Sequence, residues 1–123
     1  MKNANRGKYR AILRGSNFKD RYEWHITFID DMGTIIDKEN GFVNNPLLIH
    51  TSVGGAELKA AVEAIVYARK NKLLPLIIEY RHDGIRKWAT GEWKAYSPVT
   101  KLYADFMKKF VKWISFDKGG KAA

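Results

Sequence analysis

The stretch IIEYRHDGIRKWATGEWKAYSP, residues 77–98, passes from an apolar run into a segment rich in charge and tryptophan. A continuous apolar run bounded by charge is typical of a strand in a parallel sheet, buried on both faces. Arg81 stands where this strand ends, and ligands of open α/β sheets collect at the carboxyl ends of the strands. The function of the chain therefore depends on what the Arg81 side chain binds at the end of this strand.

Three strands are predicted before that run. Residues 8–13 (KYRAIL) and 22–29 (YEWHITFI) have strand composition, and the second segment alternates apolar with polar side chains. The small polar residues 14–17 predict a turn between them, and residues 31–33 predict a break before a third strand at 34–36. These short connections favour an antiparallel meander.

Helices are predicted on either side of the apolar run. From Ala56 onward, apolar residues recur at spacings of three and four and so share one face of a helix that Thr51 or Ser52 can cap. These apolar residues are Leu58, Ala61, Val62, Ile65 and Ala68. Two further helices, at 85–88 and 99–110, and a last strand at 113–116 complete the order β-β-β-α-β-α-α-β. This order predicts an α/β fold with a mixed sheet of about five strands.

Length and composition favour a single domain. The chain has 123 residues and 46% hydrophobic content, which suits one core, so we expect one domain over residues 1–123 with flexible ends at 1–7 and 118–123. Cysteine is absent, which excludes disulfides and cysteine-ligated zinc. Without a signal peptide or an apolar run of membrane-spanning length, we expect a cytoplasmic protein with no membrane partner.

The charge balance is strongly basic. Lysine and arginine number 22 against 13 acidic residues, and the net charge of +9 is spread along the chain. Such a chain favours a polyanionic partner, most simply nucleic acid, because neutralised phosphates release counterions. A basic surface that serves only solubility is the alternative. The histidines His25, His50 and His82 are dispersed and predict no metal site.

Several segments resemble the ribonuclease H family in its bacterial and phage forms. Gly91-Glu92-Trp93-Lys94-Ala95, within the segment 80–95, is similar to the family's own segment nearly letter for letter. Residues 55–61 (GAELKAA) resemble the start of the family's first helix, and Arg14-Gly15-Ser16 resembles its Asp-Gly-Ser at the end of the first strand. The resemblance covers residues 9–116 and implies a ribonuclease H-like fold, a mixed five-stranded sheet with helices packed on it.

The resemblance also implies a nuclease whose acidic residues hold two Mg²⁺ ions. Residue by residue, the helix glutamate falls on Glu57, but the two strand aspartates fall on Arg14 and Arg81. The chain also ends where the family continues into a last helix with a further acidic residue. A guanidinium has only donors and stays protonated, so it cannot ligate Mg²⁺. We therefore expect a degenerate, truncated pseudoenzyme with no catalytic residues and no metal cofactor, in which Glu57 is a relic.

Arginine is well suited to a phosphate ligand, because its planar fork matches two oxygens. Our hypothesis is a catalytically inactive protein that binds RNA–DNA hybrid or duplex through a basic, metal-free former active site. The expected contacts come from Arg14, Ser16, Asn17, Arg81, His82, Lys94, Thr100 and Lys101. We expect Trp88 and Trp93 to pack in the core rather than stack on bases. A salt-bridge cluster in which Glu57 neutralises the arginines is the competing interpretation.

Two other functions remain open. A protein-interaction module, either a homodimer or a subunit, decoy or inhibitor from a phage or mobile element, would use an apolar sheet face that the missing helix leaves uncovered. A divergent nuclease with Mg²⁺ or Mn²⁺ would instead need displaced acidic residues such as Asp20, Glu79 and Asp83. A shift of two residues moves a carboxylate by about 6 to 7 Å along a strand, which octahedral Mg²⁺ tolerates poorly.

Overall fold

The computed structural model describes residues 9–18, 21–43 and 53–119. Its strands are β1 (Tyr9–Phe18), β2 (Arg21–Ile29), β3 (Ile35–Phe42), β4 (Leu76–Tyr80) and β5 (Ile114–Lys118). Its helices are α1 (Val53–Lys70), α2 (Gly84–Thr90) and α3 (Pro98–Lys108), and a 3-10 turn (Val111–Trp113) precedes β5. The predicted order of elements is confirmed.

The five strands form one mixed sheet in the order β3-β2-β1-β4-β5. β1 pairs antiparallel with β2, and β2 with β3, whereas β4 lies parallel to β1 and to β5. A parallel neighbour requires a crossover, which α1 supplies by packing on β1, β2 and β4. The predicted α/β class and the mixed sheet are confirmed.

One face of the sheet and one stripe of α1 form the core. The buried strand residues alternate, as period two requires: Ala11 and Leu13 in β1, Trp24, Ile26 and Phe28 in β2, and Leu76, Ile78 and Tyr80 in β4. The helix meets them mainly through alanines, namely Ala60, Ala61, Ala64 and Ala68, with Ile65. Because alanine side chains are small, the axis of α1 lies close to the sheet.

The opposite face of β1, β4 and β5 carries charge. Arg10 Nη1 lies 3.1 Å from Glu79 Oε1 and 2.7 Å from Asp117 Oδ2, which links the three strands. In β4, Ile77 and Glu79 are only partly buried, so the expectation of a strand buried on both faces is wrong. In the described strands this face is therefore not the apolar surface that the protein-interaction hypothesis assumed.

β1 is longer than predicted. Residues 14–17, predicted as a turn, continue the strand and pair with β2, Arg14 opposite His25 and Ser16 opposite Glu23. Small polar residues accept an extended backbone when a long partner strand satisfies their N–H and C=O groups, which is why the turn prediction was wrong. The break at residues 31–33 is confirmed.

Several predicted features lie outside the residues that the structure describes. The proposed helix caps Thr51 and Ser52, the N-terminal residues 1–7 and the last four residues lie outside the described residues. At the other end, Lys118 closes β5, and its Nζ lies 2.7 Å from Asp83 Oδ1. Among the described residues, no helix has both the length and the apolar content needed to cross a membrane.

The close approach of α1 to the sheet predicts a stability effect at Ala64, which is fully buried. Ala64→Leu should lower the free energy of unfolding by about 1–3 kcal/mol, because the added carbons overpack the helix–sheet contact. Val66→Leu, at an exposed position of the same helix, is the control. Urea denaturation followed by circular dichroism measures both variants, and equal stabilities would contradict the packing described here.

Candidate nucleic-acid interface

Glu57 lies at the start of α1 and is nearly fully buried, with 3% of its surface exposed. Its Oε2 accepts the backbone N–H of Arg81 at 2.6 Å, and its Oε1 accepts the backbone N–H of His82 at 3.2 Å. The carboxylate thus fixes the end of β4 and the turn into α2. Hydrogen bonds to a charged acceptor contribute about 1.5–3 kcal/mol, so this contact is a structural one.

The surroundings of Glu57 determine the pKa of its carboxyl group. Burial raises the pKa of the Glu57 carboxyl above the usual 4.5, and the backbone N–H groups and charges of Arg81 and His82 offset this only in part. Tyr103 from α3 lies in the same interior, and its hydroxyl donates to the Ile85 carbonyl oxygen at 2.7 Å. Burial, followed by the nearby Glu57 charge, raises the pKa of Tyr103.

Arg14 lies in β1, and Arg81 lies just past the end of the neighbouring strand β4. The pairing between these two strands ends at Ile12 and Glu79, and each arginine comes two residues after its strand's member of that pair. Both arginines are exposed, and among the described residues neither guanidinium forms an ion pair or hydrogen bond. Within that part of the chain, the salt-bridge cluster with Glu57 is not formed, because Glu57 bonds the backbone of Arg81 instead of its side chain.

Two residues that sequence reasoning missed lie in the same row across the sheet. Arg14 pairs with His25 in β2, and His25 pairs with Asn40 in β3. Strands are spaced about 4.8 Å apart, so Arg14, His25 and Asn40 extend for about 10 Å across three paired strands. Arg81, just past the end of β4, is the fourth member of this row. The register that joins them follows from the β1–β2 hairpin, which the incorrect turn prediction at 14–17 obscured.

The predicted contacts nearest to this row are partly engaged. Ser16 Oγ lies 3.5 Å from His25 Nε2, which also lies 3.4 Å from Glu23 Oε1. His82 Nδ1 accepts the Gly84 backbone N–H at 3.0 Å, which leaves its Nε2 to face other partners. The side chain of Asn17 lies outside the described residues.

The contacts predicted around α3 have different surroundings. Thr100 completes a capping box with Ser97: the Thr100 N–H donates to Ser97 Oγ at 3.1 Å, and the Ser97 N–H donates to Thr100 Oγ1 at 3.2 Å. Its hydroxyl therefore has a structural role. Lys101 is exposed, and Lys94 Nζ lies 5.6 Å from the centroid of the Tyr96 ring.

The tryptophans of α2 and the following turn form an aromatic cluster. Trp88 is partly buried, stacks on His82 and meets Trp93 edge to face, with ring centroids 5.5 Å apart. A Cβ on Gly84 would overlap the Trp88 ring, so glycine is required there. Trp93 is 40% exposed, which makes the core prediction wrong for this residue, because Lys87 rather than the apolar core lies over its ring.

The acidic residues do not fit a two-metal site. In the described part of the chain, no three His, Asp or Glu side chains come together as metal ligands. The acidic residues considered as replacements are paired with cations, Glu79 with Arg10 and Asp83 with Lys118. The hydrogen bond from Lys118 lowers the pKa of Asp83, and Asp20 lies outside the described residues. Glu57 is turned toward backbone N–H groups, and Arg14 and Arg81 offer only donors, so these three residues do not form a carboxylate cluster for Mg²⁺.

The chain is similar to solved ribonuclease H structures. It is 31% identical to the holo form of a ribonuclease H domain from D. hafniense, with a TM-score of 0.61, over 96% of this chain and 79% of that chain. The chain belongs to the ribonuclease H family. The family predicted from residues 55–61 and 80–95 is thereby confirmed.

Two ribonuclease H structures of low identity show the same fold. RNase H1 from Halobacterium salinarum NRC-1 is 14% identical with a TM-score of 0.76, over 94% of this chain and 88% of that chain. LC11-RNase H1 in complex with RNA/DNA hybrid is 15% identical with a TM-score of 0.73, over 93% of this chain and 86% of that chain. A scan of protein-family models and a search of curated proteins gave no match.

The buried carboxyl of Glu57 predicts a pH-dependent stability difference. A raised folded pKa gives stability that is present below the usual 4.5 and is lost as the pH rises through the folded pKa. Relative to Glu57→Gln, the wild-type free energy of unfolding should therefore fall as the pH rises above 4.5 and then level off. Urea titrations of both proteins from about pH 2 to about pH 8 measure the difference.

Asp83 supplies a control of opposite sign. Lys118 lowers the pKa of Asp83 from 3.8, so the stability it gives is present at higher pH and is lost as the pH falls through the lowered pKa. Relative to Asp83→Asn, the wild type should lose stability only below 3.8. A Glu57 difference that grew with rising pH would contradict the burial of an uncompensated carboxyl.

Proposed function

We propose that this ribonuclease H-family protein binds RNA–DNA hybrid or duplex through its former metal site and does not hydrolyse it. The observation that supports the proposal most strongly is the pair Arg14 and Arg81, exposed at the two aspartate positions and without ion pairs among the described residues. Glu57 contributes to the fold instead of holding a cation.

Electrostatics favour an anion at this site. Two guanidiniums and one carboxylate give a formal charge of about +1, where a site with four acidic residues would carry about −4. Such a site repels Mg²⁺ and attracts phosphate, and each guanidinium presents a fork that matches two phosphate oxygens.

The row across the sheet supports a nucleic-acid strand that lies perpendicular to the β-strands. Arg14 and Asn40 present donors on either side of His25, whose Nε2 lies near Ser16 and Glu23, and Arg81 adds a further donor past the end of β4. These donors suit contacts along a phosphate backbone. Backbone contacts of this kind position a ligand by its shape and charge, without reading its sequence. The LC11 relative is described in complex with RNA/DNA hybrid, which makes a hybrid the first ligand to test.

The other two functions have less support among the described residues. The sheet face of β1, β4 and β5 is crossed by the Arg10–Glu79–Asp117 ion pairs, and burying these in a dimer would carry a desolvation cost. A nuclease would have to release Glu79 and Asp83 from the cations that bind them. We therefore assign neither activity.

The arginine pair predicts a salt-dependent loss of binding. In EDTA, Arg14→Ala with Arg81→Ala should weaken binding of a fluorescent RNA–DNA hybrid by about tenfold or more, and should lower the slope of log K against log salt by about 2. Arg69→Ala, on the helix α1, removes one exposed guanidinium elsewhere and should change the slope little. Fluorescence anisotropy across a salt series measures all three proteins.

Addition of Mg²⁺ or Mn²⁺ to the same hybrid separates binding from hydrolysis. The proposal predicts that neither the wild type nor the double alanine variant cuts the hybrid. Metal-dependent cutting that Glu57→Gln abolishes would overturn it in favour of a divergent nuclease. Wild-type binding that the double alanine variant retains in full would move the binding site away from Arg14 and Arg81.

The row also predicts that position 40 affects binding more than an equivalent position outside it. Asn40→Asp places a carboxylate in the row and should weaken hybrid binding by about fivefold, or about 1 kcal/mol. Ser115→Asp adds the same charge on the same sheet face in β5, in register with Ile77, and is the matched control. Equal losses in the two variants would show that net charge alone governs binding.

A further inference from the structure

An apolar groove runs between α1 and α3, on a side of α1 that does not face the sheet. Its larger part has a volume of about 310 Å³ and is lined by Leu58 and Val62 from α1 and by Leu102 and Phe106 from α3. A second part of about 280 Å³ shares Phe106 and is lined also by Val66. The groove is separate from the row of Arg81, Arg14, His25 and Asn40.

Two residues of the groove are more exposed than is usual for apolar side chains on helices that already pack on the core. Leu102 is 61% exposed and Val66 is 48% exposed. On α1, Leu58, Val62 and Val66 follow one another at i, i+4 and i+8, beside the alanine stripe that meets the sheet. Leu58 is buried where α1 meets α3, but Val66 and Leu102 leave apolar surface open to solvent beside that contact, and such exposed apolar surface marks a site for a partner.

The charged residues that line the groove are all basic. Lys59 lines the larger part, and Arg69 and Lys70 line the smaller one. Lys59 is paired with Glu63 at 2.9 Å. In the described part of the chain, Arg69 contacts only the face of the Phe110 ring, and Lys70 has no ion pair. An apolar floor with a cationic end selects a partner that is apolar and acidic.

We propose that this groove binds an amphipathic α-helix of a partner protein, with apolar anchors at i and i+4 and carboxylates that meet Arg69 and Lys70. From Leu58 to Lys70 the rise of 1.5 Å per residue gives the groove a length of about 18 Å, which accommodates about three helical turns. The i, i+4, i+8 row on α1 is the ridge against which a third helix packs.

Charge separates this partner from the other occupants. A second copy of the chain in an isologous contact would present the same patch, whose lining carries no carboxylate, to Arg69 and Lys70. Of the residues outside the described ranges, only Asp20 is acidic, so those segments lack the carboxylates that the groove selects. Nucleic acid would leave the apolar floor in contact with phosphate. An acidic helix satisfies both the floor and the cationic end.

Selection from a displayed library of helical peptides tests the proposal. Positions on one face are randomised, the wild-type protein is the target, and Leu102→Asp is the counter-target, since an exposed leucine is replaced there without disturbing the core. We expect selected peptides with large apolar residues at i and i+4 and with Asp or Glu at one end. Their affinity should fall at least tenfold for Leu102→Asp, and also for Arg69→Glu with Lys70→Glu.

Each other outcome overturns the proposal. Absence of peptides that distinguish the wild type from Leu102→Asp would show that the groove binds no helix. Selected peptides with a basic end, or with affinity unchanged by the Arg69→Glu and Lys70→Glu pair, would remove the acidic partner. Protection of the Val66 and Leu102 methyl groups from a soluble paramagnetic probe in the free protein would show that the chain itself or a second copy covers the groove.

Discussion

The hydrogen bonds from the backbone of Arg81 and His82 to the buried Glu57 carboxylate are the contact on which the site depends. They join the start of α1 to the end of β4, so one carboxylate that accepts two backbone donors holds the two elements together. Since the backbone N–H groups occupy the carboxylate, the Arg81 side chain is left to solvent. The buried carboxylate thus supports the surface on which the Arg81 side chain is exposed.

One face of the sheet has two zones of different charge, a neutralised zone around Arg10 and a positive zone around Arg14 and Arg81. Arg10, the second residue of β1, is neutralised by Glu79 and Asp117, and this zone links β1, β4 and β5. Arg14, in the middle of β1, and Arg81, just past the end of β4, have no such acidic partners among the described residues. The positive charge available to a ligand therefore lies beside the carboxyl end of β4, and strand ends of this kind are where open α/β sheets bind their ligands.

The sequence predicted the elements better than their registers. Period-two and helical spacings gave the strands and helices correctly, because burial on one face imposes those spacings. The turn predicted at 14–17 was wrong, since backbone pairing outweighs the local preference of small polar residues. That error hid His25 and Asn40, whose place beside Arg14 follows only from tertiary register. The capping role of Thr100 was readable in Ser97-Pro98-Val99-Thr100, whereas the partner of Glu57 was not, because a backbone donor leaves no trace in side-chain identity.

The most direct test is residue-specific NMR of the arginine Nε–Hε groups during titration with an RNA–DNA hybrid in EDTA. If Arg14 and Arg81 bind phosphate, their Nε–Hε signals shift and saturate together with binding. The signal of Arg10, which is paired with Glu79 and Asp117, stays unchanged. Binding that shifts other arginines and leaves Arg14 and Arg81 unchanged would contradict the account.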